Sequence, residues 1–185
     1  YPRNDFLFEE NGFNRQKAIK RKLGINDKMR VFLWMPTFRK SINADLSENY
    51  FMSSTGLPLI DTLEKLKKFN SFLKERNYIC LFKLHHLQAA LGAFSEQYSN
   101  VQLVLDEDLA EKKIQLYEIL PLTDCLISDY SSVTTDYLLL NKPLIYTLDD
   151  YKEYNASRGF ITADPIKYFA GYHVKTEQQL LQAMS

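Results

Sequence analysis

Apolar positions along this chain change period several times. Ala18, Ile19 and Leu23 recur at helical steps within a run rich in Lys and Arg, so 14–23 reads as a basic helix capped by Asn14 and ended by Gly24. The next run, VFLWMP (31–36), is short and wholly apolar, as a buried strand would be. A polar, irregular stretch at 38–56 follows, long enough to be a ligand-contacting loop. Leu59, Ile60, Leu63, Leu66, Phe69 and Leu73 then return to steps of three and four, which predicts an amphipathic helix over 58–75. Beyond it come a strand YICLFK (78–83), a short helix over 88–97, a strand VQLVL (101–105), a helix around 112–120 and a strand DCLIS (124–128). Short apolar strands separated by helices predict an α/β fold with a parallel sheet covered by helices on both faces.

Composition narrows this picture without changing it. At 185 residues and 45% hydrophobic, the chain is expected to be one domain, 1–185. Lys+Arg 23 against Asp+Glu 23 leaves no net charge, so no global field draws the chain to nucleic acid, and any anion must be held locally. Cys80 and Cys125 both lie in apolar runs without the paired spacing of a metal knuckle, which predicts buried reduced thiols and a cytoplasmic setting. No run approaches the roughly 20 apolar residues of a membrane span. The chain opens on Tyr1 in mid-pattern, so it is expected to be excised from a longer polypeptide.

In open parallel sheets, ligands bind beyond the carboxyl ends of the strands. Those ends carry Pro36, Thr37 and Arg39 after the first strand, Lys83, His85 and His86 after the second, and Asp129, Ser131 and Ser132 after the strand at 124–128. These are cations, imidazoles and hydroxyls, the groups that hold phosphate. Ser131 and Ser132 stand where a buried strand meets a helix start, whose free N–H groups and roughly +0.5 dipole charge favour an anion. One serine is expected to cap and the other to bind. No G-x-S-x-G elbow surrounds them, which argues against a serine nucleophile. Asp136, a turn further on, either complements the helix dipole or reads a ligand hydroxyl and orients the serines. Lys83 and His85 point the same way if the strand continues that far. Arg158 in RGF (158–160) is held by a turn and suits a planar oxyanion. The tyrosines of 146–154 read as packing, and His173 as without a functional role.

Five segments carry a resemblance: PRNDFLF (2–8), WMPTFR (34–39), KLHH (83–86), TDCLISDYSSVTTDYLLLNKPLIYT (123–147) and DDYKEYNASRGF (149–160). In this order they resemble the CDP-glycerol glycerophosphotransferase family of teichoic-acid-type polymer synthesis. The resemblance implies a Rossmann-like core forming the C-terminal, nucleotide-binding half of a GT-B-type transferase. An N-terminal acceptor-side half, absent here, would supply the general base. By position, Arg3, Pro36, Thr37, the stretch Lys83, Leu84 and His85, then Ser131, Ser132 and Asp136 match residues that contact CDP-glycerol in that family. Arg158 matches its arginine near the glycerophosphate, and His85 would hydrogen-bond the diphosphate in catalysis. The implied reaction moves glycerophosphate from CDP-glycerol to a hydroxyl of a polymer or lipid-linked glycan acceptor, releasing CMP, with no cofactor or metal required. The full-length protein would sit at the inner face of the cell membrane, while this portion alone would bind nucleotide and turn over little. The rival expectations are the donor domain of a nucleotide-sugar glycosyltransferase and a non-catalytic scaffold.

Overall fold

The structure, a computed structural model, describes residues 2–8, 12–37, 53–84, 93, 94 and 96–185. Six strands, β1 (Arg30–Met35), β2 (Tyr78–Phe82), β3 (Val101–Leu103), β4 (Cys125–Ser128), β5 (Leu144–Thr147) and β6 (Tyr172–Val174), form one sheet in the order β3-β2-β1-β4-β5-β6. Every pairing is parallel. This is the Rossmann strand order, with its reversal between β1 and β4.

Strand alternation divides the core into two layers. Val31, Leu33, Ile79, Leu81, Leu126 and Tyr146 pack on one face against α1 (Gly12–Lys22), α3 (Asp106–Glu111), α4 (Leu116–Ile119) and α5 (Val133–Tyr137). Phe32, Trp34, Cys80, Phe82, Ile127 and Ile145 pack on the other against α2 (Leu63–Glu75) and α7 (Glu177–Met184). A further helix among the described residues, α6 (Tyr151–Ser157), follows β5 at the carboxyl edge. Helices thus cover both faces, as the uninterrupted apolar strands predict.

Three helix boundaries differ from the sequence reading. α1 begins at Gly12, so Asn14 lies inside it and does not cap it. The helix expected from 58 begins at Leu63, where the Thr62 hydroxyl accepts from the Lys65 N–H at 3.2 Å. Leu59 has φ of +65°, which a helix cannot contain, yet Leu57, Leu59 and Ile60 are buried in the α2 layer. Their burial extends the apolar recurrence past the helix itself. The helix expected around 112–120 is shortened to α4, Leu116–Ile119; α3, at Asp106–Glu111, lies before that range, and Lys113 between the two has φ +54°. Gln115 and Glu118 open α4 with reciprocal capping bonds, and Glu118 also pairs with Arg15 of α1 at 2.6 Å. The expected helix over 88–97 falls largely outside the described residues. At the sheet edge, a Cβ on Gly171 would lie 2.3 Å from the Leu144 carbonyl oxygen, so only glycine fits where the chain enters β6.

Both cysteines are free and buried, and in the sheet register they flank Phe32. Burial, then the nearby Asp124, pushes the Cys125 thiol up from 9.0 to about 12, and burial raises Cys80 well above its usual value. An acid whose folded pKa is raised keeps its proton in the native state while the unfolded chain ionises. Stability is therefore expected to fall as pH rises between about 9 and 12, by roughly 2 kcal/mol at pH 10.5 from Cys125 alone. Urea midpoints measured at pH 8 and 10.5 check this, and an unchanged midpoint contradicts it. Neither thiol should react with a thiol reagent at neutral pH until the protein unfolds.

Candidate functional site

The strand reversal separates the loop after β1 from the loop after β4, opening the position where doubly wound sheets take their ligands. One carboxylate ties the two loops together. Asp129, wholly buried, follows β4 and accepts from the Thr37 N–H at 3.0 and 2.9 Å, from the Thr37 hydroxyl, and from the Tyr130 N–H at 2.6 Å. A buried polar group needs its lone pairs satisfied in this way. The Ser128 hydroxyl adds a bond to the Met35 carbonyl at 2.6 Å. Pro36 and Thr37 are thereby fixed at the switch point.

Tyr130 performs a second tie. Its hydroxyl donates to Asp150 Oδ1 at 2.9 Å, and its ring lies 4.0 Å, centroid to centroid, from that of Tyr154 and 5.4 Å from Phe160. These contacts hold α6 against the end of β4. Arg158 caps the carboxyl end of α6, exposed, with Gly159 following at φ +67°. The tyrosines of 146–154 do pack as expected. His173 meets the Phe169 carbonyl at 2.7 Å and sets an edge on Tyr146.

Ser131 and Ser132 come next, and here the structure corrects the sequence reading. Neither hydroxyl caps α5: Ser132 has αR backbone angles and makes no side-chain cap bond. The first turn is closed by backbone carbonyls, with Thr134 N–H on Ser131 O and Thr135 N–H on Ser132 O, both at 3.2 Å, and by the Thr134 hydroxyl on Ser131 O at 2.8 Å. Because those carbonyls hold the turn, both serine hydroxyls are left for other partners.

On the β2 side the Lys83 N–H continues the ladder to the Trp34 carbonyl at 3.0 Å, and its ammonium sits 3.1 Å from Asp106 Oδ2 of α3. Lys83 is 12% exposed against 80% for Asp106, so a surface carboxylate covers a half-sunken cation. Leu84 is buried in the α2 layer, so a ligand could meet its backbone but not its side chain. His85, His86 and Arg39 lie outside the described residues. Arg3 belongs to the 3-10 turn Pro2–Leu7. Its neighbour Asn4 donates to Asp136 Oδ1 at 3.3 Å, and the Tyr117 hydroxyl donates to Asp136 Oδ2 at 2.6 Å. Asp136 thus joins the first turn, α4 and α5. Sequence reasoning missed Tyr117, and no local signal could have found it, because its partner lies 19 positions away.

Pro36, Thr37, Lys83, Leu84, Ser131, Ser132 and Arg158 therefore all lie toward the carboxyl edge of the sheet, and Asp136 sits one turn into the helix behind the serines. The profile of the family described as CDP-Glycerol:Poly(glycerophosphate) glycerophosphotransferase matches residues 1–185. The chain belongs to this family. Similar relatives include a teichoic acid poly(glycerol phosphate) polymerase of Bacillus spizizenii, 29% identical over 188 residues that cover 100% of this chain and 43% of that protein. A teichoic acid poly(ribitol-phosphate) polymerase of the same organism is 31% identical over 182 residues, 97% of this chain and 26% of the relative. The chain thus spans less than half the length of these relatives. Among solved structures, the wall teichoic acid polymerase TagF superposes with a TM-score of 0.77 at 24% identity, over 100% of this chain and 41% of TagF. A TagF variant soaked with CDPG superposes at 0.74 with 26% identity, over 100% and 41% of the two chains. The family and the Rossmann-like parallel fold thus agree with the sequence reading.

Proposed function

We propose that the carboxyl edge described above is the donor site of a glycerophosphotransferase, the nucleotide-binding half of a GT-B-type enzyme. The supporting observation is the coincidence of the family's motif segments with the switch point of the sheet. Thr37, Ser131, Ser132 and Lys83 flank the reversal between β1 and β4, and Tyr130 holds the helix bearing Arg158 beside them. The donor is CDP-glycerol, and the acceptor is a hydroxyl of a cell-envelope polymer or lipid-linked glycan. The acceptor oxygen forms a bond to the phosphorus that carries glycerol. The bond from that phosphorus to the bridging oxygen breaks, and CMP leaves with the bridging oxygen. The acceptor proton passes to a base outside this chain, in the N-terminal half of the full-length protein.

Such a reaction needs positioning and charge stabilisation more than covalent help. Lys83 and Arg158 offset charge growing on the departing CMP, the two serines and His85 hydrogen-bond the diphosphate, and Arg3 and Asp136 complete the contacts. Lys83 would exchange the Asp106 carboxylate for phosphate as the donor arrives. Similarity to a ribitol-phosphate polymerase favours a second reading in which the polyol is ribitol. Titration of the full-length protein with CDP-glycerol, CDP-ribitol, CDP, UDP and UDP-sugars separates the choices. Preference for a CDP-polyol over UDP-sugars is expected; preference for a UDP-sugar would favour a glycosyltransferase, and no nucleotide affinity would favour a scaffold. No helix among the described residues is long and apolar enough to cross a membrane. Peripheral attachment of the full-length protein at the inner membrane face completes the proposal, and failure to sediment with anionic lipid vesicles would remove that part.

A further inference from the structure

Basic and acidic residues are equal in number, 23 of each, but the fold does not spread them evenly. Helix α1 holds Arg15, Lys17, Lys20, Arg21 and Lys22 and no acidic residue. Arg15 pairs with Glu118 at 2.6 Å, while Ile19 and Leu23 turn into the core and leave the other cations on the outer side. Lys22 donates to the Lys112 carbonyl at 2.7 Å and Arg15 to the Lys113 carbonyl at 3.3 Å, which brings two more lysines beside the helix. Among the described residues, no carboxylate forms an ion pair with Lys17, Lys20, Arg21, Lys22, Lys112 or Lys113. Helix dipoles favour cations in the last turns of α1 and α3. They do not account for Lys17, nor for bringing both groups onto one face, where like charges repel.

The place and spacing of these charges say what would relieve that repulsion. The turn Pro2–Leu7 is bonded to Asp136 through Asn4, so α1 follows from a point beside the donor site. It runs about 16 Å toward the amino edge, where β1 starts. Lys17, Lys20 and Arg21 stand three and four positions apart, about 5–6 Å between neighbours, which suits a flexible chain with a phosphate on every unit. The Lys17 ammonium covers the exposed Phe13 ring at 4.4 Å, so the outer side of α1 offers charge with little free apolar surface to insert into a bilayer. We propose that this face, with Lys112 and Lys113 beside it, docks the polyanionic acceptor, a polyol-phosphate chain whose older units lie along α1 while its free end reacts at the donor site. The inference rests on the donor-site reading above. It adds a second contact for the acceptor, one that reads repeating phosphate rather than the choice of glycerol or ribitol.

The test is calorimetric titration of the full-length protein with synthetic oligo(glycerol phosphate) of about ten units and, separately, with CDP-glycerol. Combined Lys17→Gln, Lys20→Gln and Arg21→Gln substitutions are expected to weaken the oligomer about tenfold, from three solvated charge contacts, and to leave CDP-glycerol within about twofold. The oligomer's affinity should also lose part of its salt dependence. The same charge change on the opposite face of the sheet, Lys67→Gln, Lys68→Gln and Lys74→Gln of α2, should do none of this. Lys17→Gln with Arg21→Gln is the second variant should the triple form not fold, with an expected loss of about fivefold. A wild-type protein that binds CDP-glycerol but not the oligomer overturns the docking face, as does unchanged oligomer affinity in the α1 variants or an equal loss in the α2 variant. Loss of sedimentation with anionic lipid vesicles at unchanged oligomer affinity would make the face a membrane contact and overturn it too. A wild-type protein that binds the oligomer but no CDP-polyol overturns the donor-site reading and leaves the docking face standing.

Discussion

Replacing Asp129 with alanine is expected to lower the unfolding free energy by about 3 kcal/mol, roughly a hundredfold in the ratio of folded to unfolded protein. The carboxylate is wholly buried and serves three donors: the Thr37 N–H, the Thr37 hydroxyl and the Tyr130 N–H. Alanine leaves those groups unpaired at the place where two strand ends meet, and a buried N–H without an acceptor costs about 1–3 kcal/mol. Asp129→Asn should fall between, since its amide keeps one acceptor but turns an NH₂ toward donors. Urea denaturation measures this as a lower midpoint at unchanged slope. A loss under about 1 kcal/mol would mean that Thr37 finds another acceptor, and that the clamp matters less than its geometry indicates. Donor affinity should fall with stability here, because Thr37 is the residue set free.

Joint replacement of Ser131 and Ser132 by alanine should have the opposite profile. CDP-glycerol affinity is expected to drop about a hundredfold, from two hydrogen bonds to ionised phosphate oxygens at roughly 1.5 kcal/mol each. The urea midpoint should stay where it was, because neither hydroxyl caps the following helix and its first turn is closed by backbone carbonyls. Had one serine been a cap, its loss alone would have removed about 1 kcal/mol of stability. Calorimetry and a denaturation curve on the same preparation therefore separate binding from folding. Equal affinity in the doubly substituted protein would favour a scaffold over a transferase.

The segment DYSS, residues 129–132, shows how neighbouring residues divide this work. Asp129 ties the β4 end to the β1 loop, Tyr130 ties it to α6 and so steadies Arg158, and the serine hydroxyls that follow take no part in closing the helix start. All four stood out in the sequence as polar residues after an apolar run. The two serines were legible as candidate ligands because their chemistry is local. Their division into one cap and one binder was not, because the first-turn N–H groups of Thr134 and Thr135 bond instead to the Ser131 and Ser132 carbonyls. Leu84 was carried over with its neighbours, but strand alternation turns its side chain into the core beside Phe82.

The sequence by itself determined the α/β class, the parallel sheet, the order of its strands as far as Ser128 and the family, because apolar period and local motifs follow from contacts a few residues apart. It also placed the polar groups at strand ends, since a buried strand must stop where polar side chains begin. Only the tertiary structure decided that β4 lies beside β1, bringing Asp129 to Thr37 across 92 positions, and that Asp136 answers to Tyr117 and Asn4. Those pairings depend on which strands become neighbours. That choice is made by the packing of two apolar layers over the whole sheet, and no short stretch of chain encodes it.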